Sequence, residues 1–491
     1  MKTRIKQFFL LPALMAGLGL IPAGRVTAQT FTNLYSFMTN HANSSGVNTN
    51  SDGAYPSAGL ILSGNTLYGT ASGGGTNGNG TVFAVHTDGT GFTILHTFTP
   101  VVSGTNSDGA NPVAGLLQSG QYLYGTASAG GTNGNGTVFF VRTDGLYFTN
   151  LHSFTALSAP YYQGGTNSDG AIPRAGLILS GDILYGTAGN GGTNGNGTVF
   201  AVNADGTGFT VLHTFTAYSN YTNSDGANPA GGLISSGNTL YGTASGGGSG
   251  GDGTVFALNI NGTNFTNLYS FTAFSSVYFN NSDGANPAGG LVLSGNTLYG
   301  TTHSGGTNDG GTVFAITTNG TGFTNLHSFT GGSDGDNPYA GLTSSGNTLF
   351  GTAGNGGNSF DGTLFAVTTN GVDFTTLHAF TNNPDGGSPH AGLILSGNTL
   401  YGTAEGGGTN GTGMVFSLTL PTPQLTITFS GTNAIVMWPT NALEFTLQST
   451  TNPVPPTVWT TISPPPYAVI YTNNVVTNTI SGTNQFYRLS L

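Results

Sequence analysis

In seven similar units of this chain, the residue after the proline that precedes a short apolar run is Ser57, Val113, Arg174, Ala230, Ala288, Tyr339 or His390. Four of these are small and unreactive, whereas Arg174, Tyr339 and His390 bring a fixed cation, a phenol and a titratable imidazole. A second repeated position, just after the Gly-Thr step of each unit, is serine at Ser72, Ser128 and Ser245 but becomes His303 and Glu405 in two others. If the two positions share a face, Arg174, Tyr339, His390, His303 and Glu405 form a ligand pocket of convergent polar groups. Read as chemistry, His390 is a candidate base and Glu405 the lone nearby glutamate for a polysaccharide lyase or hydrolase. Glycoside hydrolysis normally wants two facing carboxylates, and Glu405 has no evident mate, so binding ranks above catalysis. Neutral drift at loop positions is the plain alternative.

Other reactive groups are thin. The chain has no cysteine, and its lysines, Lys2 and Lys6, stand at the extreme N terminus; this removes thiol catalysis, thiolate metal sites, disulfides, Schiff bases and Walker-type phosphate loops. Matches to GxGxxG (Gly73, Gly75, Gly78) and to GxSxG (Ser249, Ser333) follow from glycine abundance and lack the strand-to-helix setting both motifs need. His96, His152, His213, His327 and His378 recur at one position in separate units, where they cannot converge on a metal and are expected to be partly exposed strand residues. Asp52, Asp108, Asp169, Asp225, Asp283, Asp334 and Asp385 precede the first run of every unit. A residue present in all units is structural, so turn formation and hydrogen bonding between units are expected of them. Asn48, Asn50 and Asp52 match the spacing of a calcium loop, but later units lose the first ligand and the distal glutamate. The expectation is no transition metal, no cofactor and at most weak calcium.

These residues must be held by a repeat. An aromatic followed by Gly-Thr begins at Tyr68, Tyr124, Tyr185, Tyr241, Tyr299, Phe350 and Tyr401, at intervals of 56, 61, 56, 58, 51 and 51 residues. Each unit reads as four short β-runs. In the first, run A is Gly59 to Leu62, run B Leu67 to Ala71, run C Thr81 to Val85 and run D Phe92 to Phe98, with a glycine-rich loop between B and C. Asp-Gly or Asn-Gly pairs such as Asp88-Gly89 supply the C-to-D hairpin. Seven four-stranded units predict an all-β, seven-bladed β-propeller over 29–420. The chain offers an isolated run D at Phe31 to Phe37 and lacks one after Leu418, so the N-terminal strand should close the ring. Strand alternation then puts the long, variable D-to-A loops (Thr39 to Asn50, Ala156 to Asn167, Ala273 to Asn281) on the same face as the glycine-rich loops, which makes that face the expected binding surface.

The recurring DGANP, LYGT, glycine-rich loop and TVF elements, in that order over about residues 31 to 420, resemble the tandem-repeat proteins first noted in Gloeobacter and Verrucomicrobia. The resemblance implies a secreted or surface propeller-like protein of a bacterium and brings no reaction with it. The C-terminal end has no apolar span followed by basic residues, so the tail anchor of many relatives is not expected. After the 421–423 linker, glycine becomes rare and Trp438 and Trp459 appear, and 424–491 reads as a small β-sandwich of fibronectin or immunoglobulin-like type. Residues 1–28 read as a secretory signal: Lys2, Arg4 and Lys6, an apolar run from Phe8 to Pro22, then Val26-Thr27-Ala28. Without it three arginines face 18 acids, a formal charge of −15 that disfavours nucleic acid. No other segment is apolar enough to span a bilayer, so the mature chain is expected to be a soluble monomer, its partner an extracellular polymer or surface protein.

Overall fold

The computed structural model describes residues 29–274, 281–421, 425–430, 433–439, 446–451, 453, 458–462, 468–470, 473–479 and 485–490. The signal segment 1–28, residues 422 and 423 of the linker, most of the 273–281 loop and Pro455, Pro456 and Pro464 to Pro466 lie outside the described residues. A large unit is made of 31–344 and 349–418, and a small one chiefly of 419–491.

The repeats fold as seven four-stranded antiparallel sheets. In the first, strand A is Ile61–Ser63, B is Thr66–Ala71, C is Thr81–His86 and D is Thr93–Thr97. Strand C is buried at five successive positions, because a neighbouring blade covers each face of the sheet, and so after Thr81 its sequence Val82 to Val85 is continuously apolar rather than alternating. The seventh sheet takes three strands from its own unit, Ile394–Ser396, Thr399–Ala404 and Met414–Thr419. Its outer place is filled by Thr30–Ser36, the closure that the orphan run D predicts.

Two further sets of contacts complete the ring. The buried threonine of each aromatic-Gly-Thr step donates its Oγ1 to a carbonyl where the next blade begins: Thr70 to Ala114 at 3.1 Å, Thr126 to Ala175 at 3.1 Å, Thr352 to Ala391 at 3.0 Å and, across the closure, Thr403 to Ala58 at 3.0 Å. Near the axis a Cβ on Gly59 would lie 3.2 Å from the Gly392 carbonyl, and one on Gly115 3.2 Å from that of Gly59, so adjacent chains meet at van der Waals distance.

At the rim the histidines of strand D are paired. His96, His152 and His213 each place Nε2 2.9 Å from the carboxylate of Asp108, Asp169 or Asp225, and His327 and His378 do the same with Asp334 and Asp385 at 3.1 and 2.9 Å. Tyr35 and Tyr269 replace histidine in two blades and donate their hydroxyls to Asp52 and Asp283. Each such carboxylate also takes the backbone N–H of the residue two past the end of strand D, as Asp108 does from Thr99, while its own main-chain carbonyl accepts from Thr137 in the following blade. The seven aspartates thus form turns and join blades, and the histidines, strand residues that stay partly exposed, are their partners. His96 further stacks on Phe148 of the next blade, with centroids 3.7 Å apart.

Burial holds His327 and His378 below the ordinary imidazole range, only partly offset by Asp334 and Asp385. For Asp108 and Asp225 burial acts to raise the carboxyl, but hydrogen bonds from His96 or His213 and from Thr99 or Thr216 outweigh it and hold both low. A depressed histidine contributes stability that is complete above about pH 6.5 and is lost on acidification, as the unfolded chain takes up protons first; a depressed aspartate adds a further loss as pH falls below about 4. The melting temperature should therefore fall from pH 7.5 to 5. A His327→Tyr, His378→Tyr double variant, which copies the Tyr35 and Tyr269 arrangement, should flatten that slope while keeping the aspartate bonds. An unchanged slope refutes the assignment.

The small unit has two antiparallel sheets. Thr426–Ser430, Asn433–Pro439, Asn473–Thr479 and Ala468–Ile470 form one, and Thr460–Thr461, Thr446–Thr450 and Phe486–Ser490 the other. Strand alternation sends Ile435 and Met437 to one cluster with Val475, and Val436 and Trp438 to another with Leu447.

Candidate functional site

At the start of every blade the residue before the proline has a left-handed backbone, with φ of +60° at Tyr55, +58° at Ile172, +56° at Asn337 and +51° at Ser388. Its N–H donates to the glycine-rich loop of the preceding blade, as Ile172 does to Asn135 and Ser388 to Asp361. This turn and the rigid proline after it fix where the following residue stands. Ser57, Val113, Arg174, Ala230, Ala288, Tyr339 and His390 accordingly ring one cavity of about 160 Å³ at the channel mouth, with the alanines and glycines that follow them as its wall.

The second set of positions reaches the same place. Residues ahead of strand A pair with the start of the B-to-C loop in each blade, Ala54 with Gly73 and Gly387 with Gly406 among them, so both loops share a face. His303 comes from the fifth blade, Tyr339 from the sixth, and His390 and Glu405 from the seventh. The His303 and Tyr339 rings lie 4.1 Å apart, and Tyr339 meets His390 edge to face at 5.0 Å. His390 Nδ1 stands 2.7 Å from Glu405 Oε2. Four of the five sequence-derived site residues thus form one continuous cluster, and Arg174, from the third blade, lines the mouth cavity with two of them, Tyr339 and His390.

The carboxylate of Glu405 can only accept when ionised, so Nδ1 of His390 carries the proton and the neutral ring keeps its lone pair on Nε2. That edge of the ring packs over Gly354, where a Cβ would be 2.5 Å from Nε2. Gly354 occupies the serine position of other units, and the space it leaves admits His390. The sequence reading passed over this glycine, although its place in the Ser72, Ser128, Ser245 series marks it. Burial, and then the nearby His390, push His303 below the usual imidazole range, so it is neutral at pH 7. Burial and the Glu405 charge raise the Tyr339 phenol against a smaller opposing effect of Arg174, so it remains a hydrogen-bond donor. Tyr339 is still 41 % exposed.

Asn48, Asn50 and Asp52 lie away from this cluster. Asn48 sits in a two-residue strand paired with Ala42, and Asn50 Oδ1 accepts from Gly53 and Gly75 while its Nδ2 donates to Met38 and Gly53. Asp52 accepts from Tyr35 and Met38. Among the described residues no three His, Asp or Glu side chains are grouped as metal ligands. No described helix is long and apolar enough to cross a membrane.

The repeat model of the Gloeobacter/Verrucomicrobia family matches residues 25–167, 161–278 and 273–444, which together span every four-stranded repeat of the large unit. The chain belongs to this family. Gloeobacter/Verrucomicrobia repeats thus account for the blades that carry the mouth cluster. Among solved structures, an oligogalacturonate lyase in complex with manganese is similar at a TM-score of 0.47 and 12 % identity, over 82 % of this chain and 99 % of its own. An oligogalacturonate lyase from Vibrio parahaemolyticus gives 0.42 and 10 %, over 81 % and 98 %. A chain of the nidogen/laminin complex gives 0.36 and 14 %, over 60 % and 90 %. No curated protein matches the sequence.

Proposed function

We propose that this Gloeobacter/Verrucomicrobia repeat protein is a secreted or cell-surface binding protein whose channel mouth engages a segment of a carbohydrate polymer. The observation that carries this reading is the convergence of His303, Tyr339, His390 and Glu405 from three consecutive blades, with Arg174 lining the mouth cavity beside Tyr339 and His390. A partly exposed tyrosine offers a flat surface to the C–H face of a sugar, and the imidazoles, carboxylate and guanidinium offer donors and acceptors to its hydroxyls. Exposed Tyr55, Tyr161, Tyr162, Tyr218, Tyr221 and Phe360 lie on loops of that same face, enough aromatic surface for more than one sugar of a chain. The small unit then serves as a spacer.

A second reading, catalysis on the polymer, is favoured by the His390–Glu405 pair, which leaves Nε2 as a base. A single carboxylate at that place suits proton abstraction in an elimination better than hydrolysis by paired acids.

The test is a polysaccharide array followed by titration of the full chain. Tyr339→Ala and His390→Ala should each weaken binding by about tenfold, equivalent to 1.4 kcal/mol, without lowering the melting temperature, since other blades carry Ser, Val or Ala at that position. Tyr147→Ala and Asn65→Ala, on opposite-face hairpins, should leave affinity unchanged. Weakening confined to the latter pair would place the site on the other face; product release over hours would favour catalysis; no binding on the array would favour a passive surface protein.

A further inference from the structure

We infer that the mouth reads an acidic sugar, Arg174 holding a sugar carboxylate while the Glu405–His390 pair takes hydroxyls of the same or the adjoining residue. This rests on the polymer-binding reading and narrows its ligand to uronate-bearing polysaccharides.

The argument begins with the cations. Beyond residue 28 the chain has three arginines and no lysine against 18 acidic residues. Arg142 is paired with Asp144. Arg488 lies over the Trp459 ring and donates to Gln448. Arg174 makes no ion pair among the described residues and stands exposed on the mouth cavity. Nothing in the fold asks for a guanidinium there, because Ser57, Val113, Ala230 and Ala288 fill the equivalent positions in other blades.

The rest of the cluster leaves Arg174 as the mouth's one fixed cation. His303 is neutral at pH 7, and the Tyr339 phenol is protonated. Glu405 directs its charge at His390. A guanidinium presents parallel N–H donors that match a carboxylate two by two, and this local pairing must outweigh the repulsion of an acidic polymer by the chain's net negative charge. Glu405 accepts only from donors, which a sugar supplies as hydroxyls and a second carboxylate does not. The mouth is therefore dipolar: it welcomes an anion at the third blade and repels one at the seventh. Tyr339 stands beside the acidic pole with an open ring for the pyranose face. An isolated uronate within a sugar chain satisfies both poles, whereas a neutral glucan leaves Arg174 unmatched.

The experiment titrates the full chain with polygalacturonate, alginate and hyaluronate, each beside its methyl-esterified form, with dextran and dextran sulfate as further arms. At least one acidic polymer should bind about tenfold more tightly than its ester. Arg174→Gln should abolish the preference at unchanged melting temperature, while Tyr339→Ala should weaken acid and ester alike. Equal affinity for acid and ester, or a preference that survives Arg174→Gln, overturns the acidic-sugar assignment and leaves polymer binding standing. Stronger binding of dextran sulfate than of every uronate also overturns it in favour of a sulfate ester. If no polymer binds at all, the underlying reading fails with it.

Discussion

Removing residues 30–37 should abolish cooperative unfolding of the propeller near its normal melting temperature. Phe37 is fully buried, in a cluster with Leu60, Leu67, Phe83 and Val415 that joins the seventh blade to the first. Truncation of a buried phenylalanine alone costs about 3 to 5 kcal/mol, a large share of the roughly 5 to 15 kcal/mol that holds a typical domain together. The deletion does more. It removes the backbone bond from Phe37 to Gly413 and the two side-chain bonds that its carbonyl accepts from Asn410 and Thr412. It also takes away Phe31, which stacks on His378 at 4.1 Å, and Tyr35, which stacks on Phe92 at 3.7 Å. Strand Met414–Thr419 would be left as an open edge, free to pair with another copy. The expected result is a lowered, broadened transition with association of the chain, and partial recovery on adding a peptide of residues 29–40. A melting curve identical to that of the intact chain would sink the closure model.

The second large effect concerns the glycine inside strand B. A Cβ on Gly242 would lie 2.6 Å from Cζ of Phe256 and 2.8 Å from Cδ2 of Leu233, both buried. Gly69 meets Phe83 and Leu60 in the same way, at 2.6 and 2.8 Å. The phenylalanine of strand C lies across strand B and fills the volume that a side chain there would need. Gly242→Ala should therefore destabilise by about 1 to 3 kcal/mol through overpacking, and Gly242→Val by more. Replacing Phe256 by Leu in the alanine variant should return part of the loss, because it shortens the group the new methyl meets. The control is Gly237→Asn: Gly237 has φ of +56° in an open turn, a conformation asparagine tolerates, and little change is expected. Equal melting of Gly242→Ala and the parent, measured by denaturant titration, would refute the packing argument.

The four-stranded antiparallel units, and the N-terminal strand that completes the last of them, could be read from the chain because they depend on local pattern. The spacing from Tyr68 to Tyr401, the Asp-Gly turns and the unpaired run at Phe31 to Phe37 each record a constraint that acts within a few residues or repeats identically. Membership of the repeat family followed from the same elements. The face carrying the variable loops was legible too, since strand alternation alone fixes which connections lie together.

Other features needed the tertiary structure. That His96 and its counterparts bind the repeated aspartates was visible only as a coincidence of position, with Tyr35 and Tyr269 as the hint, because the residues are 12 apart for His96 and Asp108 but 17 for His152 and Asp169. The buried threonine of Tyr-Gly-Thr looked like a strand residue until its partner proved to be a carbonyl one blade away, 44 residues on for Thr70. The mouth cluster lies between these cases. The sequence alone named Arg174, Tyr339, His390, His303 and Glu405 as departures from a repeated pattern, and so determined which residues are free of the demands of the fold. Only the closed ring decided that residues from the fifth, sixth and seventh blades stand within 4.1 and 5.0 Å of one another, and that Gly354 leaves room for His390. The physical reason is that a local pattern sets the geometry of one blade, whereas distances between blades depend on how seven of them share the full turn around the axis.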